Sequence, residues 1–139
     1  MKLKLKVISV PFLVAMLWSV QTQAQLVVTT SPVKTEGNKA VVKLSFKNDL
    51  TNTVESARAS VFLLNGESVV GQGTRWVIGG TEDKPSLAPG ATNSFFFVIT
   101  SAKAFPNAHL SVKVTMNRVV LEGGRLAGAT KDVQIKTGN

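Results

Sequence analysis

His109 is the only histidine of the 139-residue chain, and histidine is the side chain best suited to acid–base chemistry near neutral pH. A catalytic site built on it would also need a nucleophile and an orienting acid close in space. The eight acidic residues fall mostly in predicted turns and at strand ends, and His109 follows a Pro-Asn turn just before a predicted strand. We therefore interpret His109 as a surface histidine and expect a protein that is not an enzyme. A minor hydrolase that uses His109 is the remaining catalytic alternative.

The sequence has few residues that could bind a metal ion or a cofactor. The chain has no cysteine, which excludes disulfides, thiolate metal ligands and cysteine nucleophiles. Glu82 and Asp83 precede Lys84 and do not supply the roughly six to eight oxygen ligands of a calcium site. Gly71-x-Gly73 lies in a strand pattern and lacks the following helix of a nucleotide-binding loop. We expect no metal and no cofactor.

The pair Arg75-Trp76 is the strongest candidate for binding, because tryptophan and arginine are enriched at interaction hot spots. Phe62 and Leu64 lie across a predicted hairpin and would extend an apolar patch. These four residues form the predicted partner-binding site, through which a sheet face or edge recognises an unknown protein or cell-surface ligand. The alternative is that Trp76 fills the core of the domain.

The net charge of +8 raises the possibility of nucleic-acid binding. However, the lysines occur singly, and nucleic-acid readers show clustered basic residues with stacking aromatics. Dispersed lysines on strands also keep exposed sheets from pairing with other chains. We expect no nucleic-acid partner.

Residues 1–24 have the pattern of a secretory signal peptide. Three lysines precede the apolar stretch 7–20, and Ala24 occupies the small-residue position before a predicted cleavage site. The stretch is short for a membrane span, and no cysteine follows it to carry a lipid anchor. The sequence thus predicts a secreted or periplasmic protein of 115 residues, with a net charge of +5 and no membrane span after cleavage.

The rest of the chain alternates apolar and polar residues with a period of two, which is typical of strands with one buried face. Asn65-Gly66 is a strong hairpin turn, and Gly71 and Gly73 indicate a bulge or a close backbone approach within a strand. We predict one domain over residues 25–139, an immunoglobulin-like antiparallel β-sandwich. Its seven predicted strands are 26–30, 40–48, 56–64, 68–78, 91–100, 110–121 and 130–136.

The segment 95–99 (FFFVI) is uncharged and strongly β-favouring, the composition of an aggregation-prone strand. Phe95, Phe97 and Ile99 are expected to face the core. We predict that this segment is a central strand, paired on both sides. If it lay at an open edge instead, strand addition by a partner would be favoured.

The segment 61–66 (VFLLNG) resembles the FxLYD motif of a family of small extracytoplasmic β-sandwich domains. An Asn near the end of the preceding strand (Asn48), Gly71-Gln72-Gly73 and the turn 87–90 (LAPG) fit the same order. The resemblance covers residues 40–100 and holds at Leu63 and Gly66, whereas Val61, Leu64 and Asn65 depart from the motif.

The resemblance implies an extracytoplasmic β-sandwich and no particular biochemical activity. We therefore expect an exported binding or structural module. The alternative is a small periplasmic chaperone that shields a fibre-forming or secreted client, as curli-associated sandwich proteins do.

Overall fold

The computed structural model describes residues 24–106 and 109–137. The predicted signal peptide therefore lies outside the described residues, except for Ala24. Among the described residues no helix is long and apolar enough to cross a membrane, and the one helical element is a single 3-10 turn, Glu122–Gly124. The described ranges form nine strands: β1 (Leu26–Thr30), β2 (Lys34–Glu36), β3 (Lys39–Asn48), β4 (Val54–Asn65), β5 (Ser68–Ile78), β6 (Thr92–Thr100), β7 (Ser111–Leu121), β8 (Arg125–Leu126) and β9 (Val133–Thr137).

The strands form two sheets packed as a β-sandwich, which confirms the predicted all-β fold. In the first sheet β3 is central: it pairs with β6 along one edge and with β1 and β2 along the other, and β1 continues to β9. The second sheet has the order β5-β4-β7-β8. All pairs are antiparallel except β1–β9, which is parallel and departs from the expected antiparallel arrangement.

The core lies between the two sheets and is built from the inward positions of the period-two pattern. On β6 the pattern holds for Phe97 and Ile99, which are buried, while Phe95 is half-buried. The other long strands contribute aliphatic residues and one phenylalanine: Val42, Leu44 and Phe46 from β3, Val61 and Leu63 from β4, and Val112, Val114 and Met116 from β7.

Gly71 and Gly73 of β5 let the second sheet approach the first closely. A Cβ atom at Gly73 would lie 3.1 Å from Cε1 of Phe97, and one at Gly71 would lie 3.0 Å from Cε1 of Phe105. The close backbone approach expected from these glycines is therefore present.

Asn48 ties the end of β3 to the turn that precedes β6. Its side chain is fully buried, donates to the carbonyls of Asn52 and Leu87 (2.9 Å each), and accepts from the amide of Leu50 (3.0 Å). Its backbone carbonyl accepts from Gly90 and its backbone amide donates to Ala91. These bonds fix where β6 begins against β3.

The seven predicted strands are all present with small shifts at their ends, and β2 and β8 are two additional short strands. The predicted central position of segment 95–99 is wrong. Within the described part of the chain β6 pairs only with β3, so this segment lies at the edge of the first sheet.

Candidate functional site

The structure places three of the four predicted binding residues on the outer face of the second sheet. Phe62 and Leu64 alternate with the buried residues of β4. Trp76 of β5 pairs with Arg58, an exposed residue of β4. Arg75 lies on the opposite face of β5, where its guanidinium carbon is 5.8 Å from the ring centre of Phe97. The predicted pair Arg75-Trp76 is thus divided between two faces of one strand, as expected for neighbours in a strand.

Trp76 is half-buried and is not part of the core cluster. The guanidinium of Arg58 lies 5.8 Å from its ring centre, within the range of a cation–π contact. The backbone of Gly80 packs on the ring, because a Cβ atom there would lie 2.6 Å from Trp76 Cδ2. The indole therefore packs against Arg58 and Gly80 at this end of the sheet.

A polar row separates Trp76 from Phe62 and Leu64. The hydroxyls of Ser60 and Thr74 are 2.7 Å apart, and the Asn117 side-chain amide donates to Ser60 Oγ at 2.7 Å. The register places this row between the Arg58–Trp76 pair and Phe62. Phe62 and Leu64 therefore belong to a separate shallow depression near the hairpin turn, which Val69 and Lys113 also line.

The free edge of β6 is the second candidate site. Hydrogen bonds from Ser101 to Asn38 and from Asn48 to Ala91 fix the β3–β6 register at its two ends, and the register is continuous between them. In an antiparallel pair the bonded positions alternate. The backbone groups of residues 93, 95, 97 and 99 thus face β3, while those of residues 92, 94, 96, 98 and 100 face outward.

Unlike the other edge strands among the described residues, β6 contains no charged side chain. Phe96 is 61% exposed and Val98 is 40% exposed, and the nine residues TNSFFFVIT include neither proline nor lysine. Edge strands are normally protected by charges, proline, bulges or shortness. Such charges are present on the other edge strands: Arg75 on β5, Lys113 and Arg118 on the partly unpaired β7, Arg125 on β8 and Lys136 on β9.

Three cations lie over the three consecutive phenylalanines of β6, each contributed by a different part of the chain. Lys84 Nζ is 5.4 Å from the ring centre of Phe95, Lys43 Nζ is 5.8 Å from that of Phe96, and Arg75 lies over Phe97. Phe95 and Phe97 also meet edge to face, with ring centres 5.8 Å apart. The apolar strand is therefore uncharged itself but has positive charge beside it on both sheet faces.

The beginning of the free edge is partly occupied by local contacts. Asn93 Oδ1 accepts from the outward-facing amide of Ser94 at 2.8 Å. A hollow of about 270 Å³ separates this stretch from the loop that carries Asp83 and Lys84. In that loop a hydrogen bond from the Thr81 hydroxyl lowers the pKa of Asp83, and Lys84 lies 3.6 Å from the same carboxylate. The fully open part of the edge is accordingly Phe96–Thr100.

His109 is exposed in the segment that precedes β7. The described residues bring no carboxylate or hydroxyl into hydrogen-bond contact with it, and they contain no group of three or more residues suited to binding a metal ion.

A scan against known protein families finds no match, and a search of curated proteins finds no significantly similar sequence. The resemblance to FxLYD domains stays a prediction from the residues that carry it.

Proposed function

We propose that the protein is an exported, non-enzymatic binding module that recognises an extended polypeptide by adding it as a strand to the free edge of β6. The observation that carries this proposal is the uncharged, exposed edge Phe96–Thr100 in a molecule whose other edge strands carry charges. In strand addition, main-chain hydrogen bonds supply affinity and alternate side chains supply specificity.

The edge offers what an added strand requires. The amides and carbonyls of Phe96, Val98 and Thr100 face outward, and β3 holds the opposite side of the strand rigidly in register. The exposed side chains of Phe96 and Val98 lie on the outer sheet face, where they would pack beside alternate side chains of the partner. Secretion to the periplasm or beyond, by means of the signal peptide, would expose this edge to extracytoplasmic partners.

The test follows amide hydrogen exchange during titration with an unlabelled eight-residue peptide that alternates valine and threonine. Binding is expected to slow exchange at the outward amides of Phe96, Val98 and Thr100, because these amides would donate to the peptide. Exchange at Phe97 and Ile99, whose amides already face β3, should change less.

Val98→Pro supplies the decisive variant. Proline removes the outward amide without removing a β3–β6 hydrogen bond, and edge strands tolerate it. It should abolish the peptide-induced protection, while Val98→Thr keeps the amide and should retain it. Protection that persists in a folded Val98→Pro protein, or no protection in the wild type, would contradict strand addition.

A second candidate function, a chaperone for a fibre-forming client, is favoured by the same edge. The growing end of a cross-β fibre is itself an unpaired strand. If β6 paired with this fibre end, the rest of the β-sandwich would cover the end and block addition of the next fibre strand.

A further inference from the structure

We infer that the partner of the β6 edge is an extended segment that alternates apolar and acidic residues, with its carboxylates facing Arg75. This inference rests on the proposed function and names the chemistry of the partner. It follows from the different environments that the two faces of an added strand would meet, since alternate side chains point to opposite sheet faces.

On the inner side of the edge the strand would meet positive charge. Arg75 is exposed, lies over the ring of Phe97 and donates only to its neighbour's carbonyl, that of Thr74, at 3.0 Å. Within the described residues it has no carboxylate partner, since the ion pairs there are Lys47–Asp49 and Lys84–Asp83. An added strand would place its inward side chains next to Phe97, within reach of this guanidinium, which binds carboxylates well.

Lys84 adds positive charge on the same face two residues earlier in β6, over Phe95. Its charge is partly compensated by Asp83, so Arg75 is the dominant unpaired cation at the open stretch. Because inward positions of a strand are two residues apart, acidic residues at alternate positions of the partner would match this spacing.

On the outer side the strand would meet Phe96 and Val98. These two side chains form an apolar strip at the edge, and Lys43 of β3 contacts the ring of Phe96 from the interior of the sheet. Apolar residues of the partner would pack on this strip as cross-strand neighbours.

A second copy of this chain fits the edge less well. Pairing of two β6 strands about a twofold axis would bring the same inner faces to one side of the joint sheet. Arg75 and Lys84 of one copy would then approach those of the other, and like charges across an interface oppose association. Charge complementarity therefore favours an acidic partner over self-pairing.

The experiment compares two eight-residue peptides on the full secreted chain, one alternating valine and glutamate and the other alternating valine and lysine. Affinity is measured by titration at low ionic strength, and the site by exchange protection at Phe96 and Val98. We expect the acidic peptide to bind about tenfold more tightly, and the difference to shrink as salt screens the charges.

Arg75→Glu is expected to reverse this preference, whereas Arg75→Gln should weaken the acidic peptide by about threefold. Arg118→Glu and Arg118→Gln are matched controls, because they make the same changes of net charge on the outer face of the second sheet, away from Phe97 and the β6 edge. They should leave the preference unchanged. Thermal unfolding of each variant separates loss of binding from loss of fold.

Equal binding of both peptides at Phe96 and Val98 would overturn the acidic partner and leave strand addition standing. A preference that Arg118→Glu reverses as well would also overturn it, since the effect would then belong to net charge. Dimers that form through β6 and exclude both peptides would overturn it in favour of self-pairing. If no peptide binds and the protein is monomeric, both the inference and the proposed function are contradicted.

Discussion

At the scale of single residues, Asn48 shows how a buried polar group organises a strand end. It is fully buried and makes three side-chain hydrogen bonds, two to the loop that follows β3 and one to the turn that precedes β6. We expect Asn48→Ala to lower the free energy of unfolding by about 3 kcal/mol, because the Leu50 amide and Asn52 carbonyl lose their buried partner. Asn38→Ala removes one exposed bond to Ser101 and should cost less than about 1 kcal/mol. Equal midpoint shifts in urea for the two variants would contradict this role.

For the predicted binding residues, the sequence indicates which neighbours face opposite ways but not which face of the strand is the core. Alternation separates Arg75 from Trp76 at once, because neighbours in a strand face opposite ways. It does not reveal that Trp76 lies on the outer face under Gly80, since a strand with apolar residues on both faces gives no signal for which face is the core. The cation contacts of Phe95, Phe96 and Phe97 come from distant positions in the sequence and had no local signal.

At the scale of elements, β5 depends on its two glycines to lie close to β6. A Cβ atom at Gly73 would lie 3.1 Å from Cε1 of Phe97 and 3.6 Å from Cγ1 of Ile99. We expect Gly73→Val to destabilise the fold by about 2 kcal/mol, because its methyl groups overfill the core. Gln72→Val, on the outer face of the same strand, should change stability by less than about 0.5 kcal/mol. The measurement is urea unfolding, and a Gly73→Val protein as stable as Gln72→Val would argue against close packing.

The strands themselves were predictable, and their order in the sheets was not. Periods of two and turn residues locate β1, β3 and β7 to within a residue or so, because these signals are local. The strands β2 and β8 are only three and two residues long and leave no periodic pattern. The position of β6 depends on which strands it pairs with, which is non-local. Its apolar run predicted a strand paired on both sides, but one side of β6 is free. The proposed function rests on this free edge.

In the molecule as a whole, lysines lie on β3, the strand next to the free edge, whereas the edge strand β6 carries no charge. Lys39, Lys43 and Lys47 lie on β3, which is already paired on both sides, while the neighbouring edge strand β6 has no lysine. The protection that edges normally receive is thus one strand away from where pairing with other chains would occur. The net charge of +8 favours repulsion between copies of the chain, while the β6 edge itself carries no charge.

The chaperone candidate makes a prediction at this same scale. At about one protein per ten copies of an uncharged fibre-forming peptide, the wild type should lengthen the time before fibres appear, because it binds the few growing ends. Val98→Lys places a charge on the free edge and should remove the delay. Val69→Lys is the matched control, since Val69 is 54% exposed at the hairpin of the other sheet and gains the same charge. Dye-binding kinetics and sedimentation of the fibres measure the effect. An equal delay from Val98→Lys and Val69→Lys would exclude β6 as the chaperone surface, because the delay would then follow from net charge or from another face of the sandwich.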